Sequence, residues 1–276
     1  MLQKIYLIIP ALCLAVCSSF AQKLPNVQQG GMRAPAGAKV DGNAAEWNGR
    51  FQAYNHATDI YYTVANDDEK LYLIVQATDP NIINKIISGG ITLNICPSAK
   101  KDDKTAAGIT YPLFERKNRP VFDRRSKTDI GNATAKATPL SDSLLKVHNG
   151  LFTGRSKYIG ILGVANVDTL ISVYNDSGIK AAGLFDHSGA LTVEFSVDLK
   201  LLNITPNTTF AYHIILNGRN PFESQMTGKS AGGNNANQST ITIGYSDVME
   251  AKVRLEMMQS TELTVTDFWG LYSMVK

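Results

Sequence analysis

Val40-Asp41-Gly42-Asn43-Ala44-Ala45-Glu46-Trp47, with Asn66-Asp67-Asp68-Glu69-Lys70-Leu71-Tyr72-Leu73-Ile74-Val75 a short distance on, decides how this chain folds. The first stretch reads as a strand end and an Asp-Gly turn, in which Gly takes positive φ and Asp bonds the local backbone. It closes on a Trp that a two-sheet protein can bury. The second reads as an acidic hairpin turn entering an alternating strand.

Period-two patterns continue outward from there. Leu71, Leu73, Val75 and Ala77 alternate with Tyr72, Ile74, Gln76 and Thr78, and Ile91, Leu93 and Ile95 alternate with Thr92 and Asn94. Leu191, Val193, Phe195, Val197 and Leu199 alternate with Thr192, Glu194, Ser196 and Asp198. Phe210, Tyr212, Ile214 and Leu216 alternate with Ala211, His213, Ile215 and Asn217. Each predicts a strand with one buried face. Further strands are expected at 59–65, 158–164, 169–174, 239–245 and 251–256. The aromatic end, 265–276, is expected to close a sheet edge or to present Trp269 and Tyr272 to a partner. No amphipathic helix longer than a few turns stands out. The expected fold is all-β, an antiparallel β-sandwich of jelly-roll or immunoglobulin-like type.

The first residues set the compartment. Lys4, the apolar run Ile5 to Val16, and Ser19-Phe20-Ala21 before Gln22 have the order of a secretory signal peptide over 1–21. Lipidation at Cys17 competes with cleavage after Ala21, but Val16 is bulky where a small residue is usual. The mature protein is therefore expected in the periplasm, at the cell surface or outside the cell. No later run is long enough for a transmembrane helix. Residues 22–38, rich in Gln, Gly and Pro, read as a flexible leader, and 39–276 as a single sandwich domain. Residues 98–140 read as a polar, basic insertion whose apolar anchors, among them Ile109, Tyr111 and Phe122, would make a short hairpin. With Cys13 and Cys17 in the leader, Cys96 stands alone, so no internal disulfide is expected and the core must supply the stability. Hydrophobic residues make up 44% of the chain, enough for such a core.

The Val-Asp-Gly-x-x-x-Glu-Trp opening resembles the start of modules related to carbohydrate-binding module family 9, within the wider group of DOMON-like sandwiches. The Asp-Asp-Glu-Lys-Leu-Tyr-Leu stretch, closing with Thr78-Asp79-Pro80, looks like the strand that follows in that family. Gly189 to Leu199 resembles a later one, with Asp198 where a proline is common. The resemblance runs from about Lys39 to Leu216. It implies a sandwich that in many relatives binds a sugar or sugar polymer, while other DOMON-like relatives hold a haem.

Sugar recognition needs a flat aromatic face and planar amides or guanidinium groups for the hydroxyls. Trp47, Tyr54, Asn217, Arg219 and Trp269 are the candidate ligand contacts, with Tyr61, Tyr62, Tyr111 and Tyr245 as further aromatic platforms. Trp47 has a competing reading as a plug for the sandwich edge, and Asn217-Gly218-Arg219-Asn220 one as an ordinary turn. Glu194 and Asp198, four apart on a strand, are about 13 Å from each other at roughly 3.3 Å per residue, too far for the usual glycosidase pair. They read as outward acids. The four histidines lack zinc spacing. No nucleophile elbow or phosphate loop is present, so a non-catalytic protein is expected.

No cofactor is required, though calcium assembled from distant loops stays open, the turn at 66–70 lacking EF-hand spacing. A haem would ask for an axial His or Met, for which His213 and Met226 are the candidates. A net charge of +3 is too small to argue for nucleic acid. The expected partners are a carbohydrate or an envelope protein, the basic insertion offering a dock for either.

Overall fold

The computed structural model describes residues 23–122, 139–205, 208–218 and 264–276. The leader at 1–21, Arg219, Met226, Tyr245, the strands expected at 239–245 and 251–256, and the cations of 123–138 lie outside the described residues.

Eleven strands among the described residues form two antiparallel sheets. The strands are β1 (Ala53–Asn55), β2 (Ile60–Asn66), β3 (Lys70–Ala77), β4 (Ile91–Cys96), β5 (Ala107–Leu113) and β6 (Tyr158–Leu162). They continue with β7 (Leu170–Ser172), β8 (Ile179–Phe185), β9 (Leu191–Asp198), β10 (Thr209–Leu216) and β11 (Thr266–Ser273). One sheet runs β1-β2-β3-β9-β8 and the other β11-β10-β4-β5-β6-β7. The all-β sandwich expected from the alternation is the observed architecture. Between the sheets lie Tyr62, Leu71, Leu73, Val75, Leu93, Ile109, Phe152, Phe195, Phe210 and Tyr212, all at most 1% exposed. Among the described residues β11 pairs with β10 and is the last strand on that side of the sheet.

Helices are the first correction. α1 (Pro80–Gly89) starts where the strand was expected to close, because Asp79 accepts hydrogen bonds from the Asn81 and Ile82 amides and Pro80 occupies the first turn. Its buried face is Ile82, Ile83, Ile86 and Ile87. α2 (Asp142–Arg155) is capped by Ser141 and buries only His148 and Phe152, too thin an apolar stripe to read from sequence. α3 (Leu199–Leu202) is one turn after β9.

The basic insertion is corrected in part. Ala107–Leu113 is an interior strand between β4 and β6, with Ile109 and Tyr111 facing the core. The surrounding Lys and Asp masked a short alternation.

Residues 23–38, expected to be flexible, run docked along β2. β1 stops pairing with β2 at Tyr62, which leaves the next main-chain groups of β2 open. Gln28, 4% exposed, fills that gap. Its side-chain amide donates to the Val64 carbonyl at 2.8 Å and accepts from the Val64 amide at 2.7 Å, standing in for a strand neighbour. Its own N–H donates to the Tyr62 hydroxyl, and Met32 and Ala34 then bond the main chain of Asn66. Such side-chain pairing has no sequence period, so composition alone suggested flexibility.

The expectation of one buried face per strand also fails for β3 and β9. Residues 32–51 fold across the outer face of their sheet, where Ala34, Trp47, Ala65, Tyr72 and Ile74 form a second apolar cluster. Glu194, expected to point outward into water, is 2% exposed beneath this cover. It accepts from the Trp47 indole N–H at 2.8 Å, the Gly42 amide at 2.7 Å and the Asp41 amide at 3.0 Å. Gly42 has φ 85°, and a Cβ there would meet the Gly183 main chain at 2.6 Å, so the Asp-Gly turn lies directly on β8.

Burial pushes the Glu194 carboxyl up to about 7, against the pull of its N–H donors and with a small push from Glu46. An ordinary glutamate titrates at 4.5, so between these values the folded protein holds a proton that the unfolded chain has lost. Stability is therefore expected to fall as pH rises from 4.5 to 7 and to level off above. Thermal melts at pH 5, 6, 7 and 8 should show that slope in the wild type and not in Glu194→Gln. Glu194→Ala leaves two buried donors without an acceptor, at about 1–3 kcal/mol each. The melting temperature should drop by roughly 4–24 °C, at about 2–4 °C per kcal/mol for a domain of this size.

Candidate functional site

Where the cover of residues 32–51 ends, the outer face of the five-stranded sheet opens into a cleft of ≈ 880 Å³. Its floor follows from the hairpin. Asn66 pairs with Leu71 across the acidic turn, which brings Tyr61 opposite Gln76. Tyr54 on β1 lies opposite Tyr61, and Thr192 on β9 lies opposite Gln76. Tyr54, Tyr61, Gln76 and Thr192 thus form one row across four strands, on neighbours about 4.8 Å apart. Gln76 donates to the Thr192 hydroxyl at 3.2 Å.

Two segments wall this row. The end of the cover supplies Gly49, Arg50, Phe51 and Gln52, and the amino-terminal segment supplies Lys23, Leu24, Pro25 and Gln29. Both are tied down. The Arg50 amide donates to the Trp47 carbonyl at 3.0 Å, and the Tyr54 amide donates to the Pro25 carbonyl at 3.0 Å. The Tyr61 ring centroid is 4.6 Å from that of Tyr54 and 5.8 Å from that of Phe51, so three rings form a continuous half-buried surface. Tyr54 also donates its hydroxyl to Asp59 at 2.6 Å, and that carboxylate, followed by burial, pushes the phenol up to about 12.

The five ligand-contact candidates do not converge. Tyr54 borders the cleft. Trp47 is 3% exposed, edge-on to Tyr72 with its N–H spent on Glu194, so it is the plug and not a platform. Asn217 and Trp269 belong to the other sheet. The Asn217 amide nitrogen donates to the Gly89 carbonyl and the Thr92 hydroxyl, each at 2.9 Å, locking the β4 and β10 ends. Trp269 stacks on His213 at 4.1 Å and 11°. Arg219 lies outside the described residues.

Of the other aromatic platforms, Tyr61 lies on the cleft floor. Tyr62 and Tyr111 are core residues whose hydroxyls bond Tyr212 and Ser156. Sequence reasoning missed Arg50, Phe51, Gln52 and Gln76. Gln76 was legible in principle, because counting back from the 66–71 pair places it beside Tyr61, in the phase opposite to the core residues.

A smaller hollow of ≈ 310 Å³ lies on the outer face of the six-stranded sheet, over Thr92, Asn94, Gly108, Thr110, Gly160 and Asn217. Much of its polar surface is satisfied internally, the Thr92 and Thr110 hydroxyls bonding each other at 2.8 Å. Beside it His213 has both ring nitrogens engaged, one by Asp103 at 2.9 Å and the other by Asp267 at 2.7 Å. That commitment, with Trp269 over the ring, leaves His213 no nitrogen for a haem iron. In the acidic turn the Asp67 carboxylate takes the Glu69 and Lys70 amides and the Tyr72 hydroxyl, while Asp68 pairs with Arg33 at 2.9 Å. These carboxylates serve the hairpin.

No family model matches the chain, and no curated protein matches it. Among solved structures it is similar to a carbohydrate binding module family 9 protein from Caldicellulosiruptor kristjanssonii in complex with glucose. The identity is 9%, the TM-score 0.37, and the likeness covers 90% of this chain and 95% of that chain. At that distance no residue of the site is carried across.

The chain has two tryptophans, which makes their assignments directly testable. Trp269→Phe leaves only Trp47, and its emission should be blue-shifted and poorly quenched by acrylamide. Trp47→Phe leaves the partly exposed Trp269 and should give red-shifted, readily quenched emission.

Proposed function

We propose that this protein is a secreted, non-catalytic carbohydrate-binding protein that takes its ligand in the cleft over β2 and β3. The observation that carries this reading is the row Tyr54-Tyr61-Gln76, flanked by Phe51 and Gln52. Pyranose rings present C–H faces that pack on aromatic rings, and hydroxyls that suit amides and alcohols. Here both chemistries lie side by side on a rigid sheet, and the walls are anchored before any ligand arrives. Preorganisation of this kind lowers the cost of binding. The leader pattern at 1–21 supports a location outside the cytoplasm. Affinities in the micromolar to millimolar range are expected, about −8 to −4 kcal/mol.

A separate observation favours an envelope interaction protein as the second reading. At the β6–β7 edge, Tyr158, Leu162, Leu170 and Tyr174 are 46–75% exposed. A partner seated there would be lost on Leu162→Asp and untouched by changes in the cleft.

The test is binding of the protein to a panel of soluble and insoluble polysaccharides, with calcium and with chelator. Tyr61→Ala is expected to weaken glycan binding about tenfold, since an aromatic contact contributes roughly 0.5–1.5 kcal/mol beyond its area burial. Its melting temperature should stay close to that of the wild type. Asn217→Ala should leave glycan affinity unchanged. Saturable binding unaffected by Tyr61→Ala would remove the cleft from the reading, and no binding across the panel would shift the weight to the protein partner.

A further inference from the structure

Charge around the cleft is one-sided. Its lining includes Lys23 and Arg50 and no Asp or Glu. Both cations are exposed, and among the described residues neither side chain is engaged in an ion pair or hydrogen bond. Some cations elsewhere are paired, Arg33 with Asp68 at 2.9 Å and Lys200 with Asp198 at 3.0 Å, and others such as Lys39 and Lys146 are not. Lys23 and Arg50 also come from two separate anchored segments and line the same cleft as Tyr61 and Gln76. The carboxylates near this face, Asp59 and Asp79, act at Tyr54, at the other end of the aromatic run. The site therefore has an electrical direction, with positive charge at the walls and negative charge beyond Tyr54.

From this we infer that the cleft takes an acidic glycan, one bearing carboxylate or sulfate groups, with Lys23 and Arg50 receiving the anion. The inference rests on the carbohydrate reading and narrows its substrate class. Arg50 suits the task because a guanidinium can present two parallel N–H groups to a carboxylate or sulfate. Lys23 supplies a compact charge from the other segment. The uncharged rings of the ligand lie on Tyr61 and Phe51, and its hydroxyls point toward Tyr54. Both cations are solvent-exposed, so their contribution must be screened by salt, with a Debye length of about 8–10 Å near physiological ionic strength. A neutral glycan would leave the two charges without a counterpart, and a glycan with its anion at the Tyr54 end would meet Asp59.

Affinity electrophoresis and calorimetry on the full secreted chain test this with three polymers: polygalacturonate, a sulfated galactan and a neutral galactan, at 50 and 300 mM NaCl. The variants are Lys23→Gln/Arg50→Gln, whose melting temperature should match the wild type because both side chains are exposed, and Tyr61→Ala. An anionic polymer should bind at least tenfold more tightly than the neutral one at low salt, and the difference between the polygalacturonate and sulfated arms identifies the anion. The double variant should abolish that preference, and Tyr61→Ala should weaken binding of acidic and neutral polymers alike. Equal binding of neutral and acidic polymers, unchanged in the double variant, overturns the acidic-glycan inference and leaves the carbohydrate reading standing. Salt-sensitive acidic binding that survives the double variant also overturns it, and assigns the anion to the basic stretch 100–136. Failure to bind any polymer, in this set and in the wider neutral panel, removes both.

Discussion

Glu194 lies on β9, an interior strand of the five-stranded sheet, on the face turned away from the core, and water does not reach it. A carboxylate in that position is tolerable only if its lone pairs are met by donors, and all three donors come from the segment that covers it. The constraint works in both directions. The sheet needs the cover because Tyr72 and Ile74 are apolar on what would otherwise be a wet face. The cover needs Glu194 because a turn and an indole N–H have few other acceptors on a sheet surface. The Asp-Gly turn, the positive φ at Gly42 and the burial of Trp47 follow from this single attachment.

The cleft is what remains when the cover stops. Beyond Trp47 the chain leaves the sheet through Gly49 and Arg50 and re-enters it as β1. In the next row of outward residues Tyr54, Tyr61 and Gln76 are left partly open, while Thr192 beside them is buried. The amino-terminal segment, held along the β2 edge by Gln28, supplies the other wall. A rigid floor with two tethered walls fixes aromatic rings, amides and charges relative to one another. Such an arrangement can discriminate among sugars with few contacts, because little ordering entropy remains to be lost on binding.

The six-stranded sheet solves its outer face differently. No segment comparable to residues 32–51 folds over it among the described residues. Its central outward positions are small or polar, such as Gly108, Thr110, Gly160 and Asn94, Trp269 is spent on His213, and Tyr158, Leu162 and Leu170 stay exposed at the β6–β7 edge. His213 is in turn held from both sides by Asp103 and Asp267. The two sheets share one core and present opposite kinds of surface, one capped and clefted, the other flat and internally hydrogen-bonded.

The antiparallel pairing class, most of the strands and their core-facing residues were legible in the chain itself, but β1 and β8 were not. Period-two alternation at 71–77, 91–95, 191–199 and 210–216 reports which side chains leave water, and the 66–70 turn sets the hairpin register that joins Tyr61 to Gln76. The turn at Asp41-Gly42 and the plug at Trp47 were also readable, because each depends on a residue's own backbone or bulk. What the chain could not disclose was the second burial of β3 and β9, the docking of 23–38, and the walls of the cleft. Those depend on long-range contacts between a side chain and a main-chain group, Gln28 with Val64 and Glu194 with Gly42, separated by 36 and 152 residues. Local pattern carries information about burial against the nearest layer only. Whether a polar outward residue faces water or a covering segment is decided when distant parts of the chain meet, and that is where the tertiary structure made the site.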